Sequence, residues 1–215
     1  MNIAYNMDCM EGMKQYPDKY FELAIVDPPY GDVEGKGWDR FGSWFNKYKR
    51  RKKPDGKKQI GWDVAPPEEY FVELFRVSKN QIIWGGNYFD LPPTRCFLVW
   101  RKISIAETFS MAMCEYAWTS FNDRNAKFIE IAPQGTAQEP RFHPTQKPIK
   151  LYEWILANYA EKGDKILDTH MGSGSSRIAC WNFGFDFTGY EIDKEYFDKQ
   201  EERFKKHTRQ QRLDI

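Results

Sequence analysis

The sequence predicts an α/β fold built on a parallel sheet, and three observations carry that prediction. Short apolar runs alternate along the chain with stretches of helical spacing, the pattern of parallel strands joined by crossover helices. The run Leu23-Ala-Ile-Val26 shows no polar alternation, as a strand covered on both faces requires. Lys165-Ile-Leu-Asp168 leads through Gly172 and Gly174 into a helical stretch, a strand, turn and helix unit of the nucleotide-binding kind.

Strands are expected over residues 2–6, 23–26, 81–84, 97–100, 115–119, 165–167 and 187–190, and helices over 11–15, 67–77, 149–161, 175–183 and 194–206. Pro67 suits a helix start, where its missing N–H costs nothing, and Gly163 and Gly184 fall where helices end. Leu151, Ile155 and Tyr159 recur at helical spacing, so that stripe faces the core. Residues 1–215 suit one domain, long enough for a full core, and no internal repeat is evident.

Composition excludes more than it assigns. With 32 basic and 31 acidic side chains, the net charge points to no class of partner. Cys9, Cys96, Cys114 and Cys180 lie far apart with no CxxC pair, so neither a disulfide framework nor a zinc site is indicated and no metal is expected. Reduced, buried thiols in a cytoplasmic protein are the expectation. No apolar run reaches the ~18 residues of a membrane span, and the N-terminus lacks a signal-peptide pattern, so no membrane partner is expected. The 8 Trp, 12 Tyr and 16 Phe are more than enough for a core and leave rings free to stack on a base.

The strand at Leu23 runs into Asp27-Pro28-Pro29-Tyr30. Neither proline can donate to a ladder, so the strand ends at Asp27. Two fixed φ angles stiffen the loop and hold the Asp27 carboxylate, the Pro28 carbonyl and the Tyr30 ring close together. Ligands of open α/β sheets gather at the carboxyl ends of strands, where this loop lies. Two acceptors beside a flat ring suit a planar group that carries an amine.

A basic segment follows directly. Residues 36–58 hold ten Lys or Arg against Asp39 and Asp55. They include Lys47 and the run Lys49, Arg50, Arg51, Lys52 and Lys53, preceded by Trp38, Phe41, Trp44, Phe45 and Tyr48. Residues 32–65 therefore read as an inserted loop that faces nucleic acid.

The second candidate site is Asp168-Thr-His-Met-Gly-Ser-Gly-Ser-Ser176. Glycines at 172 and 174 let a ligand approach the backbone closely. Arg177 stands at the third glycine position of GxGxxG, and no GxxxxGK is present, so dinucleotide and triphosphate binding are both demoted. Glu191, roughly 20 residues on at the next strand end, is placed to accept hydrogen bonds from two ribose hydroxyls. A glycine turn with a strand-end acid and no phosphate grip fits a nucleoside such as S-adenosylmethionine. Trp84 to Phe89, after another strand end, are placed near the same pocket, because Gly85 and Gly86 leave room.

DPPY at residues 27–30, HPTQKP at residues 143–148, and DTHMGSGSS followed by YEID together resemble the amino-methylating DNA methyltransferases of the β arrangement, in which the catalytic motif precedes the cofactor glycines. Residues 6–11, NMDCME, resemble the opening of that family, so the resemblance covers nearly the whole chain. It implies a Rossmann-like methyltransferase fold: a seven-stranded, mostly parallel sheet with helices on both faces and circularly permuted motifs. It also implies S-adenosylmethionine as cofactor and double-stranded DNA as substrate. Asp27, Pro28, Pro29 and Tyr30 match the catalytic loop, with Asp27 also bordering the cofactor. Gly172, Ser173 and Gly174 match the cofactor turn, Asp168 the acid on the methionine side, and Glu191 the ribose acid. Asp8 and Cys9 match the edge of the cofactor's adenine, and Thr145 and Lys147 match positions near its carboxylate. The family commonly has DPF where this chain has Asp168-Thr169-His170, so His170 is expected to pack against the cofactor as another ring.

The implied reaction is methyl transfer to an exocyclic amine of a base flipped out of the duplex. Adenine N6 is the expected target, because family members with an Asp-led tetrapeptide are mostly adenine enzymes; cytosine N4 is the alternative. Methylation of RNA or of a protein glutamine, and an inactive DNA-binding module, are more distant readings. No separate target-recognition domain is visible, so specificity falls to the basic loop and residues 103–138. A homodimer and a cognate restriction enzyme are compatible further partners.

Overall fold

The computed structural model describes residues 1–30, 64–103, 105, 112–133 and 141–211. In chain order these form β1 (Asn2–Tyr5), α1 (Cys9–Met13), β2 (Phe21–Val26), α2 (Glu68–Val77), β3 (Ser78–Trp84), β4 (Phe97–Lys102), β5 (Cys114–Thr119), β6 (Lys127–Ile131), α3 (Ile149–Tyr159), β7 (Lys165–Asp168), α4 (Ser175–Phe183), β8 (Asp186–Tyr190) and α5 (Lys194–Gln211). The basic side chains Lys47, Lys49, Arg50, Arg51, Lys52 and Lys53 lie outside the described residues.

Among the described residues, one sheet of eight strands runs in the order β1-β8-β7-β2-β3-β5-β4-β6. Only β5 is antiparallel to its neighbours, β3 and β4; every other pairing is parallel. The sheet thus has one strand more than the seven expected. The addition is β6, an edge strand whose sequence KFIEI buries only Ile129 and leaves Phe128 59% exposed. Half-polar edge strands carry little apolar signal.

β2 shows why an unbroken apolar run was needed. Leu23 and Ile25 point into a core closed by Leu151, Ile155, Ala179 and Cys180 from α3 and α4. Ala24 and Val26 point the other way, against Met13 of α1 and Tyr70, Leu74 and Val77 of α2. Cys96 and Cys180 are buried as expected, but Cys114, opening β5, is exposed. Among the described residues no helix is long and apolar enough to cross a membrane.

The topology fixes where a ligand can sit. From β2 the chain crosses through α2 to β3 on one side; from β7 it crosses through α4 to β8 on the other. The switch point lies between β2 and β7, and their carboxyl ends open a crevice there.

Candidate active site

A cavity of about 730 Å³ occupies that crevice. Its walls come from strand ends and the loops after them: Asp8 and Cys9 beyond β1, Asp27 to Tyr30 beyond β2, Thr169 to Ser173 beyond β7, and Glu191 beyond β8. His143 to Lys147, just before α3, close another side.

The Asp27 carboxylate is held from two directions. The Tyr30 hydroxyl donates to Oδ1 at 2.8 Å, and Lys147 Nζ donates to Oδ2. Lys147 is 4% exposed and lies 5.3 Å from the Trp84 ring centroid. Its ammonium also faces Glu115 Oε2 at 3.2 Å, an ion pair without hydrogen-bond alignment, while Lys102 Nζ takes Glu115 Oε1 at 2.5 Å. Burial pulls the lysine pKa down, but Asp27 and Glu115 outweigh burial and hold it above the ordinary value. Glu115 is the converse: burial raises it, and Lys147 and Lys102 bring it below the usual carboxylate range. Burial and then the Asp27 charge keep the Tyr30 phenol protonated.

The Tyr30 ring stacks on Tyr88 with centroids 4.7 Å apart and planes at 23°, and meets Phe89 edge-on at 6.2 Å. This packing needs Gly85. The residue sits at φ +67, ψ 19, and a Cβ there would lie 2.0 Å from Tyr30 Cε1. The stretch after β3 therefore does border the pocket, through Tyr88.

The glycine turn is braced from below. Glu191 accepts the Gly172 N–H on Oε2 at 2.8 Å and the Asp193 N–H on Oε1 at 2.9 Å. Gly172 has φ +50, and a Cβ on it would come within 3.1 Å of the His143 ring. Arg203 donates to the Ser173 carbonyl at 2.8 Å. Arg177 explains the missing third glycine: its guanidinium is buried and binds Asn2 of β1 and Gln200 and Glu201 of α5. A glycine would keep only the bond from Asn2 Nδ2 to the backbone carbonyl and lose the side-chain ties to Asn2, Gln200 and Glu201.

Asp168 is 2% exposed and accepts the His170 N–H at 3.0 Å and the Ser176 hydroxyl. Burial raises its carboxyl to about 7 against the hydrogen bonds that oppose it, and the Asp27 and Glu191 carboxylates add to the rise. Burial also lowers His170 and His143 to about 4, so both rings are neutral at pH 7. His170 meets Tyr70 edge-on at 5.4 Å, in keeping with a packing role.

Of the residues picked out in the sequence, Asp8, Cys9, Asp27, Pro28, Pro29, Tyr30, Thr145, Lys147, His170, Gly172, Ser173 and Glu191 all line the cavity. Asp168 and Gly174 do not; Asp168 lies beneath the floor, and Gly174 caps α4. The Asp8 carboxylate caps α1 by accepting the Met10 N–H at 2.8 Å. Lys102 pairs with Glu115, and Arg124 lies over the Phe121 ring. Glu115 was missed altogether. An acid inside an otherwise apolar strand was the available signal.

The family model for N6/N4-type enzymes, described as DNA methylase, matches residues 44–202. The chain is 39% identical over 234 residues to the type II methyltransferase M.HpaI of Haemophilus parainfluenzae, across 91% of this chain and 72% of that protein. The chain belongs to the N6-adenine/N4-cytosine class of DNA methyltransferases. Among solved structures, this methyltransferase superposes on M1.HpyAVI in complex with SAM at TM-score 0.61 and 21% identity, over 94% of this chain and all, 100%, of the other. It superposes on the cytosine-N4-specific PvuII DNA methyltransferase at TM-score 0.60 and 14% identity, over 97% and 90% of the two chains. Both likenesses bear out the expected methyltransferase fold. The cofactor of the class is S-adenosylmethionine.

Proposed function

We propose that the protein methylates the exocyclic N6 of adenine in double-stranded DNA, with Asp27, Pro28, Pro29 and Tyr30 as its catalytic loop. The observation that carries this reading is the Asp27 carboxylate, fixed by Tyr30 and Lys147 beside the glycine turn and Glu191 in one cavity.

The residues fit the cofactor. Glu191 is buried with one lone pair on each oxygen left over from its backbone bonds, which suits a ribose diol. Gly172 presents bare backbone, and the neutral His143 and His170 rings add no charge that would repel a sulfonium. When bound, S-adenosylmethionine supplies an electrophilic methyl group and its own leaving group.

The chain's part is to prepare the nucleophile. An exocyclic amine has its lone pair delocalised into the base and attacks poorly. Asp27 and the Pro28 carbonyl each accept one N–H, turning the nitrogen toward tetrahedral geometry and its lone pair outward. Tyr30 sets the plane of the base. Asp27 takes up or passes on the proton that the quaternised nitrogen loses. Such positioning can contribute roughly 7 to 11 kcal/mol in well-oriented systems. Flipping the base costs a few kcal/mol, which basic contacts from residues 32–65 offset.

The assay is methyl-labelled S-adenosylmethionine with mixed-sequence duplex DNA, followed by nucleoside digestion and mass spectrometry. Label on N6-methyladenine is expected. Label on N4-methylcytosine, a reaction the same geometry could serve, would overturn the choice of base. A second copy of the chain is proposed as the partner that helps hold the duplex; sedimentation with and without DNA tests it.

Two further results are expected. A cationic ligand group bound in the cavity favours the carboxylate of Asp168 beneath its floor, so binding should release a proton. Because the free group titrates near 7, cofactor affinity should rise with pH toward about 7 and level off above it, by up to about tenfold per pH unit on the rising limb. Isothermal titration across that range measures it, and a flat profile would show that Asp168, beneath the floor, does not sense the bound cofactor. Replacing Lys49, Arg50, Arg51, Lys52 and Lys53 with Gln should weaken DNA binding and flatten its salt dependence. An unchanged slope takes the loop out of the interface.

A further inference from the structure

We propose that Glu115 is a positioning residue for methyl transfer: it shares Lys147 with Asp27 and so keeps the Oδ1 side of the Asp27 carboxylate free of the cation. The inference rests on the function proposed above.

Four charges alternate in one line, Lys102, Glu115, Lys147 and Asp27, in which Lys147 is buried and the other three are partly exposed. Lys147, 4% exposed, cannot keep its charge in such a place without anionic partners. It has two, on opposite sides: Asp27 Oδ2 from the loop after β2, and Glu115 Oε2 at 3.2 Å from β5. Lys102 in turn neutralises the outer oxygen of Glu115. The line sums to zero charge, so no member is left unpaired.

Glu115, on β5, does not line the cavity. Any influence on the reaction has to pass through Lys147. The division of Lys147 between two carboxylates is what matters to Asp27. With Glu115 present, the ammonium is restrained on the Oδ2 side, and Oδ1, which accepts the Tyr30 hydroxyl at 2.8 Å, keeps a lone pair for an amine N–H. Without Glu115, the only anion paired with the buried ammonium among the described residues is Asp27. The ammonium, already hydrogen-bonded to Oδ2, then has no second anion to hold it there and can swing across toward Oδ1, where it competes with the amine N–H and displaces the carboxylate from it. Misplacement on the order of 1 Å can cost ~10²-fold in rate.

The test is Glu115→Gln, with rates expressed per cofactor-binding site so that unfolded protein does not count. The expected result is a fall in kcat of about 10- to 100-fold, with DNA KM and cofactor Kd within about twofold of wild type. Glu115→Asp should recover part of the loss. In a Lys147→Met background, the Glu115→Gln change should cost little more, because the group it restrains is gone. A kcat per site like that of wild type, or equal losses in both backgrounds, would show that Glu115 only supports the fold. Where Glu115→Gln does not fold, Lys102→Met serves: removing the outer cation shifts Lys147 toward Glu115, so kcat should change with cofactor Kd unmoved, and an unchanged kcat overturns the proposal. Wild-type protein run alongside separates the two levels. A wild type that transfers no methyl to DNA sinks the function and this inference with it, whereas an active wild type with an unaffected variant sinks the inference alone.

Discussion

Asp27→Ala is expected to reduce methyl transfer by roughly 10³-fold or more, the scale of losing a catalytic proton acceptor together with part of the charge-positioning site. Three things go at once. The amine loses the acceptor that turns its lone pair outward. The Tyr30 hydroxyl loses its 2.8 Å partner, so the ring that sets the base plane is no longer tied down. Lys147 keeps only Glu115, which leaves Lys102 and Lys147 sharing one carboxylate. Cofactor binding should survive within a few-fold, because Glu191 and Gly172 are braced by their own backbone bonds and do not lean on Asp27. Asp27→Asn separates the charge from the volume: the amide fills the same space but is a weaker acceptor and cannot take the proton, so its rate should also collapse. Initial rates with labelled cofactor, beside equilibrium cofactor binding, decide the matter. Residual activity above about a tenth of wild type would mean that the Pro28 carbonyl and Tyr30 suffice and that Asp27 is structural.

How much of this could be read from the chain follows from where each signal resides. β2 was legible because burial on both faces leaves an unbroken apolar run, and its end was legible because proline cannot continue a ladder. α1 was placed two residues late, since its start is set by the Asp8 side chain, a cap that looks the same in sequence as a ligand-facing acid. β6 was lost because an edge strand with one buried residue carries almost no pattern. The motifs located most of the cavity wall but not its wiring. Lys147 is 120 positions from Asp27 along the chain, and nothing local says that its ammonium meets that carboxylate rather than a ligand. Glu115 stands out as an acid in an apolar strand, but its role is not legible for the same reason: it depends on two lysines brought to it by β4 and by the segment before α3. Arg177 looked like a defect in a glycine pattern and proves to be a buried clamp between α4, β1 and α5.

Gly85→Ala is expected to lower kcat by about 10²-fold while leaving cofactor affinity in place. Two costs fall on one methyl group. The backbone at φ +67 is left-handed, which costs a residue with Cβ on the order of 1 kcal/mol. The larger cost is steric, because the Cβ would stand 2.0 Å from Tyr30 Cε1 and 2.5 Å from Cζ, far inside contact distance. Gly85 cannot retreat easily: its N–H donates to the Tyr116 carbonyl at 2.9 Å, and Gly86 behind it lies against Trp118, where a Cβ would come within 2.4 Å. The ring has to move instead, and Tyr30 then gives up its stack on Tyr88, its bond to Asp27, or both. Gly163→Ala supplies the comparison, since Gly163 also has positive φ, at +97, but nothing lies within 4 Å of its Cβ position. That variant should lose stability without losing kcat, so the difference between the two isolates the contact with Tyr30 from backbone strain. Equal activities in the two variants would show that the Tyr30 ring tolerates displacement and does not set the plane of the base.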